Sequence, residues 1–67
     1  MINITKIEDN RTRLGYYNEL NYSRVVVDNY KSFRSIAIVG DNSIAEIPYD
    51  NIPALIAMLQ SINSGIK

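Results

Sequence analysis

The chain contains neither cysteine nor histidine. Disulfides, thiolate chemistry and the common zinc and copper ligands are therefore excluded, as is the side chain that most often serves as general base near neutral pH. The serines consequently have no histidine to activate them. The adjacent carboxylates of Glu8 and Asp9 fall in a predicted turn, where water surrounds both groups. We expect no catalytic activity, no metal and no cofactor.

Long apolar runs and a net charge are also absent. No apolar segment approaches the roughly 18 residues of a membrane span, and residues 1–6 lack the pattern of a signal peptide, so we expect a cytoplasmic protein without a membrane partner. Seven basic and seven acidic side chains balance to zero, which disfavours both a strongly basic duplex binder and an acidic DNA mimic. With 67 residues, the chain forms a single domain, 1–67, because two cores would each be too small.

Hydrophobic alternation with a period of two predicts strands over most of the chain. In the second strand Leu14, Tyr16 and Leu20 suit a buried face, and in the third Val25 and Val27 do. Gly40-Asp41-Asn42 is the best hairpin signal, and the doubly apolar run 36–39 indicates a central strand. The predicted strands cover about 2–7, 12–20, 22–30, 34–39 and 43–47.

The pattern changes to a helical period after Pro48. Asp50 or Asn51 can cap a helix of about 51–64, and Pro53 is tolerated in its first turn. One apolar stripe, expected to pack on the sheet, consists of Ile52, Leu55, Ile56, Leu59 and Ile62. The predicted fold class is α+β, a small antiparallel sheet of four to five strands followed by one C-terminal helix packed on it.

The predicted helix carries no charged residue between Asn51 and Ser64. Surface helices normally place Lys, Glu or Arg opposite their apolar stripe, whereas small uncharged residues allow another backbone to approach. A chain this short and without disulfides gains stability from self-association, so we expect a homo-oligomer, a dimer or larger. Its predicted interface is Ala54, Ala57, Met58 and Ser61. The alternative is that these residues simply face water.

Aromatic and basic residues are interleaved between Arg11 and Arg34, a segment that holds five of the six aromatic and five of the seven basic side chains. Arginine forks match phosphate oxygens and aromatic rings stack on bases, so neighbouring strands here would form a ligand-binding surface. Its candidate residues are Arg13, Tyr17, Tyr22, Arg24 and Tyr30. Two other interpretations stay open, since Tyr and Arg are common on exposed sheet faces and also favoured in protein interfaces.

The sequence therefore supports one main functional hypothesis and two alternatives. The first is a non-catalytic, self-associating small protein that binds single-stranded nucleic acid or a nucleotide. The second is a small inhibitor, of the type encoded by phages or mobile elements, that occludes a host protein of the cellular machinery or of a defence system. The third is a subunit that only scaffolds a larger assembly. No family resemblance selects among them.

Overall fold

The computed structural model describes residues 1–65 as an antiparallel sheet followed by a helix, which confirms the predicted α+β class. Five strands are joined in sequence order, so each strand pairs with the next along the chain. The strands are β1 (Ile2–Glu8), β2 (Arg11–Asn18), β3 (Ser23–Tyr30), β4 (Ser35–Val39) and β5 (Ile44–Pro48). A 3₁₀ turn, Tyr49–Asn51, leads into the helix α1, Ile52–Gly65. No helix within residues 1–65 has the length and apolarity to cross a membrane.

The two faces of the sheet differ in chemistry. In β3, Arg24, Val26, Asp28 and Tyr30 alternate with residues of the opposite side, which include Val25 and Val27. Cross-strand partners share a face in an antiparallel sheet. We call the side of Arg24 and Asp28 the polar face and the side of Val25 and Val27 the apolar face.

The connection between β2 and β3 differs from its prediction. Asn18 and Asn21 accept backbone N–H bonds from Leu20 (2.9 Å) and Ser23 (3.1 Å) through their side-chain oxygens. These bonds form a turn that ends β2 at Asn18 and starts β3 at Ser23. Leu20 was predicted to be buried in β2, and that prediction was wrong, because the residue lies in the turn and is 94% exposed.

The core is small. Ala37 in the internal strand β4 is the one buried apolar residue among residues 1–65, and the other buried residues are Asp28 and Ser35. The doubly apolar run 36–39, predicted as a central strand, lies in β4, which is internal but next to the edge strand, with Ile36, Ile38 and Val39 half-buried.

The helix begins on the apolar side of the sheet, where the Tyr49 hydroxyl donates a hydrogen bond to Asn29 Oδ1. The 3₁₀ turn that precedes the helix has Pro48 as its N-cap, with no side-chain hydrogen bond. The predicted caps, Asp50 and Asn51, instead lie within the 3₁₀ turn.

Packing of the apolar stripe on the sheet extends over only the first turn of α1. Ile52 and Leu55 are half-buried, whereas the stripe residues that follow, Ile56, Leu59 and Ile62, are exposed. The prediction that the whole stripe packs on the sheet of its own chain was therefore wrong. The reason is geometric, since α1 leaves the edge strand β5 through the 3₁₀ turn and its later turns make little contact with the strands.

Candidate ligand-binding face

Strands β2 and β3 are neighbours, and their register places Tyr17 opposite Arg24 and Arg13 opposite Asp28. Arg13, Tyr17, Arg24 and Tyr30, four of the five candidate ligand-binding residues, therefore lie on the polar face. From the sequence, the pairing of these two strands is only an assumption. The order of strands in the sheet shows that β2 and β3 are neighbours.

Asp28 lies at the centre of the polar face and is fully buried. The Arg13 guanidinium donates from Nε to Oδ1 (2.7 Å) and from Nη2 to Oδ2 (2.9 Å). Arg11 donates from Nε and Nη2 to Oδ2 at 3.1 and 2.8 Å. Two arginine forks thus cover one carboxylate, an arrangement whose planar geometry lysine could not reproduce.

These contacts shift the pKa of the paired groups. The hydrogen bonds from Arg13 hold the pKa of Asp28 below its usual value; burial opposes this effect, and Arg11 adds to it. The hydrogen bond to Asp28 likewise raises the pKa of Arg13. Asp28 is therefore ionised throughout the neutral range and compensates one of the two guanidinium charges.

The cluster of Arg11, Asp28 and Arg13 retains a net charge of +1 at the surface of the polar face. The side chains of Arg11 and Arg13 are 28% and 38% exposed, whereas that of Asp28 is 1% exposed. Each guanidinium has five N–H donors, and the bonds to Asp28 use Nε and Nη2. The Nη1 donors remain for an anion that approaches from solvent.

Arg24 is the most available cation of the face. It is exposed, and within residues 1–65 it forms no salt bridge. Its direct cross-strand neighbour is Tyr17, whose ring is also exposed. Arg24 and Tyr17 thus present a free guanidinium and a phenol ring side by side.

Gly15 leaves open space between Arg13 and Tyr17 on the same strand. A Cβ built at Gly15 would meet no atom within 4 Å, so glycine is not required there by steric crowding. The residue creates a flat stretch of backbone between the Arg13 cluster and the pair of Tyr17 and Arg24. A planar group could lie on that stretch without displacing a side chain.

The two remaining tyrosine candidates have different surroundings. Tyr22 is 82% exposed and has a positive φ of 59° in the β2–β3 turn, so its predicted position within a strand was wrong. Asn21 stabilises this turn, because its side-chain oxygen accepts hydrogen bonds from the backbone N–H and the hydroxyl of Ser23. Tyr30 is half-buried, and the Arg11 guanidinium lies 5.4 Å from its ring centroid.

A groove of ≈ 380 Å³ lies beside Tyr30 at the end of the polar face formed by β4 and β5. The rings of Tyr30 and Phe33 have their centroids 6.4 Å apart with an interplanar angle of 57°. On the opposite wall the Ser35 hydroxyl donates to Glu46 Oε1 at 3.4 Å. The groove therefore combines aromatic surface with hydrogen-bond acceptors.

Sequence reasoning did not select Arg11 or Phe33 as site residues. Alternation places Arg11 on the same face as Arg13, but it gives no sign of the bond from Arg11 to Asp28. Phe33 follows β3 in a turn, where alternation gives no information.

The predicted interface residues Ala54, Ala57, Met58 and Ser61 are all exposed on α1. The three small residues lie on the side of the helix opposite the apolar stripe, since a residue advances about 100° around a helix. Their role in an interface stays a prediction.

Comparison with known proteins gives no match. A scan against protein-family models, a search of the curated proteins and a search of the solved structures each find nothing similar to this chain.

Proposed function

We propose that this chain is a non-catalytic, self-associating small protein that binds a phosphate-bearing ligand, single-stranded nucleic acid or a nucleotide, on the polar face of its sheet. The proposal is carried by the row of neighbouring residues on the polar face of β2, which are Arg13, Gly15 and Tyr17, with Arg24 directly opposite Tyr17. This arrangement alternates cations with flat or aromatic surface, as recognition of a nucleic-acid backbone and its bases requires.

Each element of the face has a distinct task in the proposed binding. Arg24 binds a phosphate, because no carboxylate within residues 1–65 compensates its charge. The exposed ring of Tyr17 stacks on a base, a contact that tolerates any base because every base has a π-face. The free Nη1 groups of Arg11 and Arg13 bind a second phosphate, with the flat stretch at Gly15 between the two.

The length of the face favours a polymer over a mononucleotide. Arg24 and Tyr30 are six residues apart on β3, which corresponds to about 20 Å of strand. Beyond Tyr30 the face continues into the groove lined by Phe33 and Glu46. A single nucleotide spans only part of the stretch from Arg24 to Tyr30, whereas a short single strand can follow it and stack a base on Phe33. The Glu46 carboxylate repels phosphates, so the backbone of the strand stays outside the groove.

The Arg24→Ala variant tests the proposal in a titration of a fluorescein-labelled oligothymidylate, followed by fluorescence anisotropy at several salt concentrations. We expect roughly tenfold weaker binding, because a charge-assisted bond to phosphate is lost. The slope of log K against log salt should also flatten by about 0.7, the change for one phosphate contact to a single strand. Folding should be unaffected, since Arg24 is exposed.

Lys6→Ala is the matched control, because it removes one positive charge from an exposed position on the opposite face of the sheet. This variant should bind as the wild type does. Equal affinity of wild type and Arg24→Ala would contradict the assignment of the site. Equal weakening by both variants would show that affinity depends on the net charge of the protein and not on Arg24 in particular. Competition with a mononucleotide separates the two ligand classes.

A second candidate function is occlusion of a host protein by this same face. The contact of Asp28 with Arg11 and Arg13 favours this alternative, because it lowers the positive charge available to a polyanion. The face still presents Tyr and Arg, the residues that dominate protein interfaces. Under this alternative the oligothymidylate does not bind at physiological salt, even to the wild type.

A further inference from the structure

The apolar face of the sheet is open over β1, β2 and the first half of β3. Ile4 is 72% exposed and Val25 is 55% exposed, although both lie in strands. Their neighbours surround a depression of ≈ 280 Å³ whose lining is formed by Ile2, Leu14, Gly15, Tyr16, Val25 and Val27. In water this surface is unfavourable, because each Å² of exposed apolar area costs about 25 cal/mol.

The second open apolar surface is the stripe of α1 beyond its first turn. Ile56, Leu59 and Ile62 are 48%, 54% and 62% exposed. Only the first-turn residues Ile52 and Leu55 are partly covered. A helix with such a stripe normally packs it against another element, and within residues 1–65 none covers it.

The total exposed area is larger than that of a compact monomer of the same mass. The chain exposes 5630 Å², whereas a folded monomer of 7.6 kDa exposes about 4,300 Å² by the usual scaling with mass. The radius of gyration is 13.1 Å, against about 10.9 Å for a compact domain of this length. The excess of roughly 1,300 Å² per chain amounts to about 2,600 Å² for two chains, within the range of obligate homodimers.

We infer that a second copy of this chain covers both surfaces. In this reciprocal seam, the exposed stripe of one helix (Ile56, Leu59 and Ile62) packs on the open apolar face of the other copy (Ile2, Ile4, Leu14, Tyr16 and Val25), and the reverse. A two-fold axis closes both contacts at once, because each copy supplies one helix and one sheet. The inference rests on the self-association in the proposed function and specifies which surfaces meet.

The reciprocal seam explains two features of the chain together. No charged residue lies beside the stripe between Asn51 and Ser64, so burial of the stripe and its flanks carries no desolvation penalty for a charge. The apolar face is opposite the polar face, so both copies keep Arg24 and Tyr17 directed to solvent. The small-residue side of α1, with Ala57 and Ser61, lies outside this seam.

The inference is tested by sedimentation velocity over about a hundredfold range of protein concentration. The four proteins compared are the wild type and the variants Leu59→Glu, Ile4→Lys and Ala57→Glu. The wild type should sediment as a dimer. Leu59→Glu in the stripe and Ile4→Lys in the open sheet face should each weaken the dimer at least about a hundredfold, because each places an unpaired charge in both contacts. Ala57→Glu adds the same charge on the opposite side of α1 and should leave the dimer intact.

Mixing Leu59→Glu with Ile4→Lys tests the reciprocity directly. In the mixed dimer one contact carries both changes and the other is wholly wild type, whereas each variant alone has two damaged contacts. The mixture should therefore associate more tightly than either variant. This readout also holds if the single variants unfold when they dissociate, since mixing then restores the circular dichroism spectrum of the sheet.

Three results would overturn the inference. They are a wild type that remains monomeric at the highest concentration, dissociation by Ala57→Glu but not by Leu59→Glu, and a mixture that associates no better than its components. Failure of ligand binding is a separate result, because Arg24→Ala lies on the other face of the sheet and should retain the wild-type mass.

Discussion

At the scale of single residues, Asp28 links the stability of the sheet to the charge of the polar face. Its carboxylate is buried beneath the guanidinium groups of Arg11 and Arg13. In the proposed function, a phosphate approaches these two guanidinium groups from solvent. Alternation placed Asp28 on the same face as Arg24. It could not show that the side chain is buried, because burial depends on Arg11 and Arg13 folding over it from β2.

Acid should destabilise the protein through Asp28. The folded-state pKa of Asp28 lies below its ordinary value, so its contribution to stability is complete above about pH 4 and is lost as the pH falls through the folded-state pKa. Asp28→Asn lacks this contribution at every pH and should be less stable at neutral pH by about 1–3 kcal/mol. The melting temperatures of the two proteins, measured from about pH 7 downwards, should approach each other as the pH falls.

Asp41→Asn provides the control for this titration, since Asp41 is an exposed carboxylate in the β4–β5 turn. Its melting curve should follow that of the wild type over the whole pH range. A constant difference between wild type and Asp28→Asn at all pH values would show that the carboxylate charge is not what stabilises the cluster.

At the scale of elements, alternation predicted the strands well, because the side-chain period of a strand is a local property. The division of β2 into two faces agrees with it, with Arg13 and Tyr17 on one side and Leu14 and Tyr16 on the other. The prediction that the side of Leu14, Tyr16 and Val25 is buried was wrong, because no element of this chain covers these residues within residues 1–65. The errors lie at strand ends, where Asn18 and Asn21 accept backbone bonds and form a turn. Tyr22 was displaced from the predicted site for that reason.

Gly15 in β2 offers a prediction in which stability and binding change in opposite directions. A Cβ at this position meets no atom within 4 Å, and glycine inside a strand is destabilising by about 0.5–1 kcal/mol. Gly15→Val should therefore raise the melting temperature. The same side chain would stand on the polar face between Arg13 and Tyr17, so it should weaken oligothymidylate binding by a few-fold.

Val26→Thr gives the comparison for Gly15→Val, because it lies directly across from Gly15 and changes polarity with little change of shape. It should not raise the melting temperature. A Gly15→Val protein that is more stable and binds the ligand with unchanged affinity would show that the flat stretch is not part of the ligand path.

At the scale of the whole molecule, the sequence predicted a helix after the sheet but not how little of it the sheet covers. The stripe from Ile52 to Ile62 has the spacing of a packed surface, and spacing does not say which chain supplies the opposing surface. That information depends on where β5 ends and in which direction α1 leaves it. For the same reason, the sequence does not show which side of the helix forms an interface, the side of Ala57 or the opposite side of Leu59.

Heat denaturation of the wild type should depend on protein concentration, because unfolding is then coupled to dissociation of the dimer. A tenfold dilution changes the free energy by about 1.4 kcal/mol, and two chains of 67 residues gain about 280 cal/mol/K of entropy on unfolding. The melting temperature should consequently fall by about 5 °C for each tenfold dilution. Leu59→Glu should melt at a lower temperature with little dependence on concentration, and Ala57→Glu should follow the wild type. A reversible wild-type transition whose midpoint is the same at every concentration would mean that the chain folds alone with its apolar face exposed to water.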